Sequence, residues 1–164
     1  MPSINHRPQR RFARRLLLVT AATLACLQAY SAPDAPTAGA TRYFKSAIPN
    51  APFSAAVRVG EIVYLSGQIG IGADGTLPPE FAAQARQTMA NVGAVLQQTG
   101  LGYDDVVKCT VMLADMSRWE DFNKIYVTYF KPERLPARSA LGANGLARGA
   151  QLELECLARA RTGT

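Results

Sequence analysis

Histidine is almost missing from this chain. The single one, His6, falls in the first thirty residues, a stretch read below as a leader. The remainder can therefore build no Ser-His couple, no Cys-His couple and no histidine–metal site. Cysteine is also scarce, with Cys26, Cys109 and Cys156 only. These are too few for a disulfide framework and have no zinc spacing, so no metal site is expected. Acidic residues are absent before Asp34. A long hydrophobic run is absent too. The apolar stretch from Leu16 to Leu27 is shorter than the roughly 20 residues that span a bilayer comfortably.

What the first residues do contain is ordered. Arg7, Arg10, Arg11, Arg14 and Arg15 precede that apolar stretch, and Ala29-Tyr30-Ser31 follows it. A basic region, a short apolar region and a small-x-small cleavage site predict a secretory signal peptide over residues 1–31, with a mature protein starting near Ala32. Arg14-Arg15 ahead of Leu16-Leu17-Leu18 also permits twin-arginine export. Thr23-Leu24-Ala25 before Cys26 makes a poor lipoprotein box. The expected location is periplasmic, with no membrane attachment after cleavage.

The leader also accounts for the charge. The whole chain has 18 Lys and Arg against 12 Asp and Glu, net +6. Losing the five leader arginines leaves 13 basic against 12 acidic residues, net +1. The basic balance thus belongs to the leader and is no evidence for a nucleic-acid surface, and no nucleic acid is expected as a partner.

Residues 32–50, rich at first in Pro, Ala and Thr, read as a flexible tether leading into a first strand. Ala55–Val59 and Ile62–Ser66 read as strands joined by Gly60-Glu61, a Gly-first link suited to a type II′ hairpin. A helix is predicted from about Glu80 to Thr99. Its Ala85, Met89, Val92 and Leu96 make one apolar face, and Gly100 closes it. A strand over Asp105–Leu113 follows, with Val107, Cys109, Val111 and Leu113 on one side. Ser117-Arg118-Trp119-Glu120 reads as a capping box for a second helix with a Trp119, Phe122, Tyr126, Tyr129 stripe. Strands over Ala137–Leu141 and Gln151–Ala158 end the chain. This order implies an α+β sandwich, a mixed sheet with helices on one face. In the last strand Leu152, Leu154 and Cys156 point one way and Gln151, Glu153 and Glu155 the other. Cys109 and Cys156 lie among apolar strand residues, where two inert thiols are the default. A disulfide follows in an oxidising compartment only if their strands are neighbours.

Two segments carry chemistry. Leu135-Pro136-Ala137-Arg138-Ser139 places an arginine at a strand start, where its guanidinium can grip a carboxylate through two parallel hydrogen bonds. Leu152-Glu153-Leu154-Glu155 supplies a carboxylate able to position or deprotonate water. Upstream, Tyr64-Leu65-Ser66-Gly67-Gln68 ends a strand in a small-residue turn. In order and spacing these three segments resemble the RidA/YjgF family of enamine/imine deaminases. The resemblance runs from about Ala51 to Ala158, and the corresponding domain is drawn at 51–160. It implies a chorismate-mutase-like two-layer sandwich, about six strands with two helices on one face. It also implies a homotrimer with active sites between subunits. Arg138 falls on the family's carboxylate-binding arginine, and Glu153 on its water-engaging glutamate, with Glu155 as the rival on the same strand face. Ser66, Gly67 and Asn123 fall on pocket residues. Two positions depart from the pattern. Phe53 stands where tyrosine is common, keeping the aromatic wall without the hydroxyl. Ala140 stands where cysteine is common, leaving only its backbone N–H for substrate.

Gly70, Gly72 and Gly75 spell G-x-G-x-x-G after a strand, but Thr76-Leu77-Pro78-Pro79 follows where a helix should open, so no dinucleotide site is expected. The activity that the resemblance implies is hydrolysis of 2-imino or 2-enamino acids, of the 2-iminobutanoate and 2-iminopropanoate type, to 2-oxo acids and ammonia. It would need no cofactor. A noncatalytic small-carboxylate-binding trimer is the alternative of a different class. A ribonuclease is a third reading, disfavoured by the near-neutral charge and the lack of histidine.

Overall fold

The structure, a computed structural model, describes residues 40–160. The predicted leader, its cleavage site and the start of the tether lie outside the described residues. Seven strands, β1 (Arg42–Lys45), β2 (Ser54–Val59), β3 (Ile62–Leu65), β4 (Gln68–Ile69), β5 (Val106–Leu113), β6 (Ala137–Gly142) and β7 (Leu152–Arg159), form one sheet. Its order is β1-β2-β3-β7-β5-β6, with β4 also paired to β7. Only β5 and β6 run parallel, so the sheet is mixed. Two α-helices, α1 (Phe81–Gln98) and α2 (Trp119–Tyr126), complete the fold. Among the described residues no helix is long and apolar enough to cross a membrane.

Side-chain alternation makes the sheet two-faced. Val63, Leu65, Cys109, Val111, Leu113, Leu152, Leu154 and Cys156 are buried in one cluster with Ala85, Met89, Val92 and Leu96 of α1 and Phe122 and Tyr126 of α2. The other face carries Tyr64, Lys108, Thr110, Met112, Glu153, Glu155 and Leu157, none of them buried. On that face Tyr64, Lys108, Thr110, Glu155 and Leu157 line a depression of about 360 Å³.

Local chemistry explains most boundaries. Gly60 opens the β2–β3 link at φ +59°, and Val59 pairs with Ile62 across it, as a Gly-first two-residue hairpin requires. Gly100 at φ +79° terminates α1. The helix is locked down by amides. Buried Gln84 donates to Pro78 O (2.7 Å) and accepts from Gln151 N (3.0 Å), and Asn91 donates to Ile69 O and Ile71 O.

Three expectations need correction. Val107 does not face the core. The β5–β7 register shifts between Val106 and Lys108, so Val106 turns in and Val107 is left exposed. Ser117 is not the helix cap. A short 3₁₀ turn (Met116–Arg118) precedes α2, and Asp115 caps it, accepting from Ser117 N at 2.9 Å and Ser117 Oγ at 2.8 Å. Its two oxygens are well placed for this, so the carboxyl titrates below its usual range. Third, Cys109 and Cys156 are not free thiols. They sit opposite each other on β5 and β7 and form a disulfide.

Candidate functional site

Arg138 is seated by α2. Trp119, Asn123 and Tyr126 recur at four- and three-residue spacing, so they project from one face of that helix. Arg138 Nη2 donates to Asn123 Oδ1 at 2.7 Å. Its Cζ lies 4.3 Å from the Trp119 ring centroid and 4.6 Å from that of Tyr126. Nη1 is occluded from solvent and has no hydrogen-bond partner among the described residues. Ion pairs among the described residues include those of Arg118 and Lys124 with Asp121, Lys131 with Asp104 and Arg159 with Glu61, and none of these engages Arg138. A cation held by rings and a neutral amide keeps its charge available for an anion. Burial pushes the Tyr126 phenol up to about 12, with Arg138 pulling the other way, so the ring beside the guanidinium stays neutral through the physiological range. Ala140 lies two residues farther along β6 on the same face, partly buried against the core.

Glu153 belongs to a second cluster. β3 and β4 both pair with β7, Tyr64 opposite Leu157 and Gln68 opposite Leu154. Three residues intervene on one side and two on the other, so Leu65-Ser66-Gly67 holds an extra residue and kinks out of the ladder. Glu153 packs into that kink. A Cβ placed on Gly67 would fall 1.9 Å from Glu153 Oε1, so the carboxylate occupies space that only glycine leaves free. Ser66 Oγ donates to Ser54 O at 2.6 Å and Ser66 N to Ala55 O at 3.0 Å. Gln68 Nε2 ties down the Ser66 and Gly67 carbonyls at 2.9 and 3.1 Å. The serine's hydroxyl hydrogen is thus committed, and its oxygen is left as an acceptor. Phe53, next to Ser54, is half exposed and lines a concavity of about 260 Å³ with Ile48, Asn50 and Ala51. Glu155, the rival carboxylate, stands opposite Thr110 in the open-face depression, away from the kink.

The two clusters do not meet within one chain. Arg138 pairs with Cys109 and Glu153 with Met112, on opposite sides of β5. Cys109 faces the helices and Met112 the open side, so the two candidate side chains leave opposite faces of the sheet. Two strand spacings sideways and three residues along β5 separate their backbones by about 14 Å. Arg138, Asn123 and Ala140 are brought together, as are Ser66, Gly67 and Glu153. Sequence reasoning missed Trp119 and Tyr126 as the arginine's seat, taking them for core stripe only. Their shared helix face with Asn123 was the available signal.

The chain has relatives among known proteins and solved structures. A profile of the family described as Endoribonuclease L-PSP matches residues 44–160. The 2-iminobutanoate/2-iminopropanoate deaminase of Mus musculus is 41% identical over 109 residues, 65% of this chain and 80% of the mouse protein. A RutC family protein of Aquifex aeolicus is 37% identical over 116 residues, 70% of this chain and 93% of its own. Among solved structures, a conserved Rid-family protein of unknown function from Yersinia pestis, YyfA, is 36% identical. It superposes with a TM-score of 0.67, covering 73% of this chain and 99% of that one.

Proposed function

The chain belongs to the RidA/YjgF family, described as Endoribonuclease L-PSP, and from that premise we propose that it hydrolyses small 2-imino or 2-enamino acids to 2-oxo acids and ammonia. The observation that carries the reading is Arg138, a cation without a carboxylate partner among the described residues and with one Nη unpaired. A substrate carboxylate supplies the missing acceptor and fixes the C2 carbon beside it. The name of the mouse relative points to the same substrate class.

Glu153 is the acid/base group. It accepts a proton from water as the water oxygen bonds to C2 and the C=N electron pair moves to nitrogen, and it passes that proton to the nitrogen, giving a neutral carbinolamine. The carbinolamine then collapses: Glu153 takes the hydroxyl proton as C2=O forms, the C2–N bond breaks, and the same proton is handed to the departing nitrogen, which leaves as ammonia. Water and imine thus become oxo acid and ammonia with no redox change. Such imines hydrolyse unaided, so positioning plus one proton shuttle covers the demand. Ser66, the Gly67 backbone and the Ala140 N–H border the reacting atoms, and Phe53 walls the cleft.

Because Arg138 and Glu153 leave opposite faces of one sheet, the working site takes them from different copies of a homotrimer. The leader expected over residues 1–31 and the Cys109–Cys156 bridge both support export to an oxidising compartment such as the periplasm.

The test is ammonia and keto-acid release from a panel of freshly generated imino acids. Wild type accelerates release. Glu153→Gln loses turnover and still binds small carboxylates. Binding without turnover in wild type returns the protein to the noncatalytic alternative. Cleavage of RNA that survives Arg138→Ala and Glu153→Gln would place any nuclease activity elsewhere.

A further inference from the structure

The seat of Arg138 is as specific as the arginine itself. An arginine meant only to fill space would be neutralised by a carboxylate, the common partner of a poorly exposed guanidinium. Here α2 offers two rings and one amide oxygen, at 4.3, 4.6 and 2.7 Å. Ring faces attract a guanidinium without satisfying its N–H groups. They restrict the plane of the fork and leave its donors for something else. Asn123 takes one donor and fixes rotation about the last side-chain bond. The Tyr126 hydroxyl, buried and without a hydrogen-bond partner among the described residues, shows that this residue is held by its ring and not by its oxygen.

We infer that Trp119, with Tyr126 behind it, is a positioning residue that presents the Arg138 fork to the substrate carboxylate. The inference rests on Arg138 being that clamp. It gives Trp119 a function beyond filling the core, which it lines only partly, and it makes the residue a built-in reporter. The chain has one tryptophan, so its intrinsic tryptophan emission comes from a ring stacked on the carboxylate-binding group.

Two measurements on the purified protein test this. In the first, wild type is titrated with butanoate, a non-absorbing carboxylate of product size, while tryptophan emission is followed. The expected result is a saturable change that is absent in Arg138→Gln. Butanoate binding seen by calorimetry with no change in emission overturns the inference, and absence of binding removes the clamp and the inference together. In the second, Trp119→Ala raises KM for a carboxylate-bearing imine about tenfold, with kcat changed less than about twofold, as loss of one partly desolvated cation–π contact predicts. KM for the methyl ester of the same imine does not move, and Trp119→Phe recovers most of the loss. Equal damage to acid and ester, or a fall in kcat alone, means a merely structural tryptophan and sinks the proposal. The emission change in a protein that turns over no imine would defeat the deaminase reading and leave this one standing.

Discussion

Gly67 shows how one residue type can decide whether a carboxylate is usable. Glu153 is one of two glutamates on the same strand face, and alternation cannot separate them. The separation comes from across the sheet, where Gly67 leaves room for Glu153 Oε1 within 1.9 Å of a would-be Cβ. Among the described residues no glycine makes room for Glu155 in this way. Gly67→Ala should therefore displace the Glu153 side chain and lower kcat at least tenfold, an effect of the size seen when a reacting group is misplaced by about 1 Å. Because the clash is with a side chain and not with backbone, the thermal midpoint should fall by only a few degrees. Steady-state kinetics beside a melting curve checks this. Full activity in Gly67→Ala would mean that the carboxylate doing the chemistry lies elsewhere, Glu155 being the first to examine. At the same scale Arg138 was legible from its Pro-Ala-Arg-Ser setting, but its surroundings were not. Trp119 and Tyr126 reach it through a contact between α2 and β6, elements with two 3₁₀ turns between them, and helical periodicity records only that these rings face inward.

At the scale of elements, the disulfide joins β5 to β7 near the middle of the sheet and closes 47 residues of chain that include α2 and β6. Constraining a loop of that length in the unfolded state contributes about 4 kcal/mol in the chain-entropy model. Reduction in denaturant followed by thiol capping should therefore lower the urea midpoint markedly. In native buffer the bridge should resist reductant, since both sulfurs lie in a core where Cys109 is 0% and Cys156 2% exposed. Peptide mapping of the unreduced protein should recover the two cysteines in one cross-linked fragment; recovery as separate thiols removes the claim. The sequence left this bridge undecided for a physical reason. Whether two strands are neighbours depends on sheet order, and β7 inserts between β3 and β5 in a way that no local pattern announces. Long α1 was legible because Ala85, Met89, Val92 and Leu96 repeat on one face over about three turns. The phase of β5 was misread at Val107 because a single bulge reverses inward and outward. The capping box failed at Ser117 because Asp115, two residues earlier, offers two acceptor oxygens to the same turn.

At the scale of the molecule, one chain holds two clusters that face apart, Arg138 with Asn123 on the helix side and Glu153 with Gly67 on the open side, the candidate halves of one site. The open face also leaves Tyr64 and Leu141 about half exposed, apolar surface of the kind a second copy covers. In the proposed trimer each site draws its arginine from one copy and its glutamate from the next, a heterologous contact that a threefold rotation closes. Light scattering should then give about three times the protomer mass. A sharper test uses two inactive proteins. Arg138→Ala keeps Glu153, and Glu153→Gln keeps Arg138. Unfolded together in equal amounts and refolded, they form mixed trimers in which about a quarter of the interfaces pair an intact arginine with an intact glutamate. Activity should return to roughly that fraction of wild type, while either variant refolded alone stays inactive. If both groups acted within one chain, no mixture could restore turnover, because every chain would lack one of them. A mixture that stays inactive while forming trimers would therefore refute the shared site, and an active monomer at nanomolar concentration would refute the assembly itself.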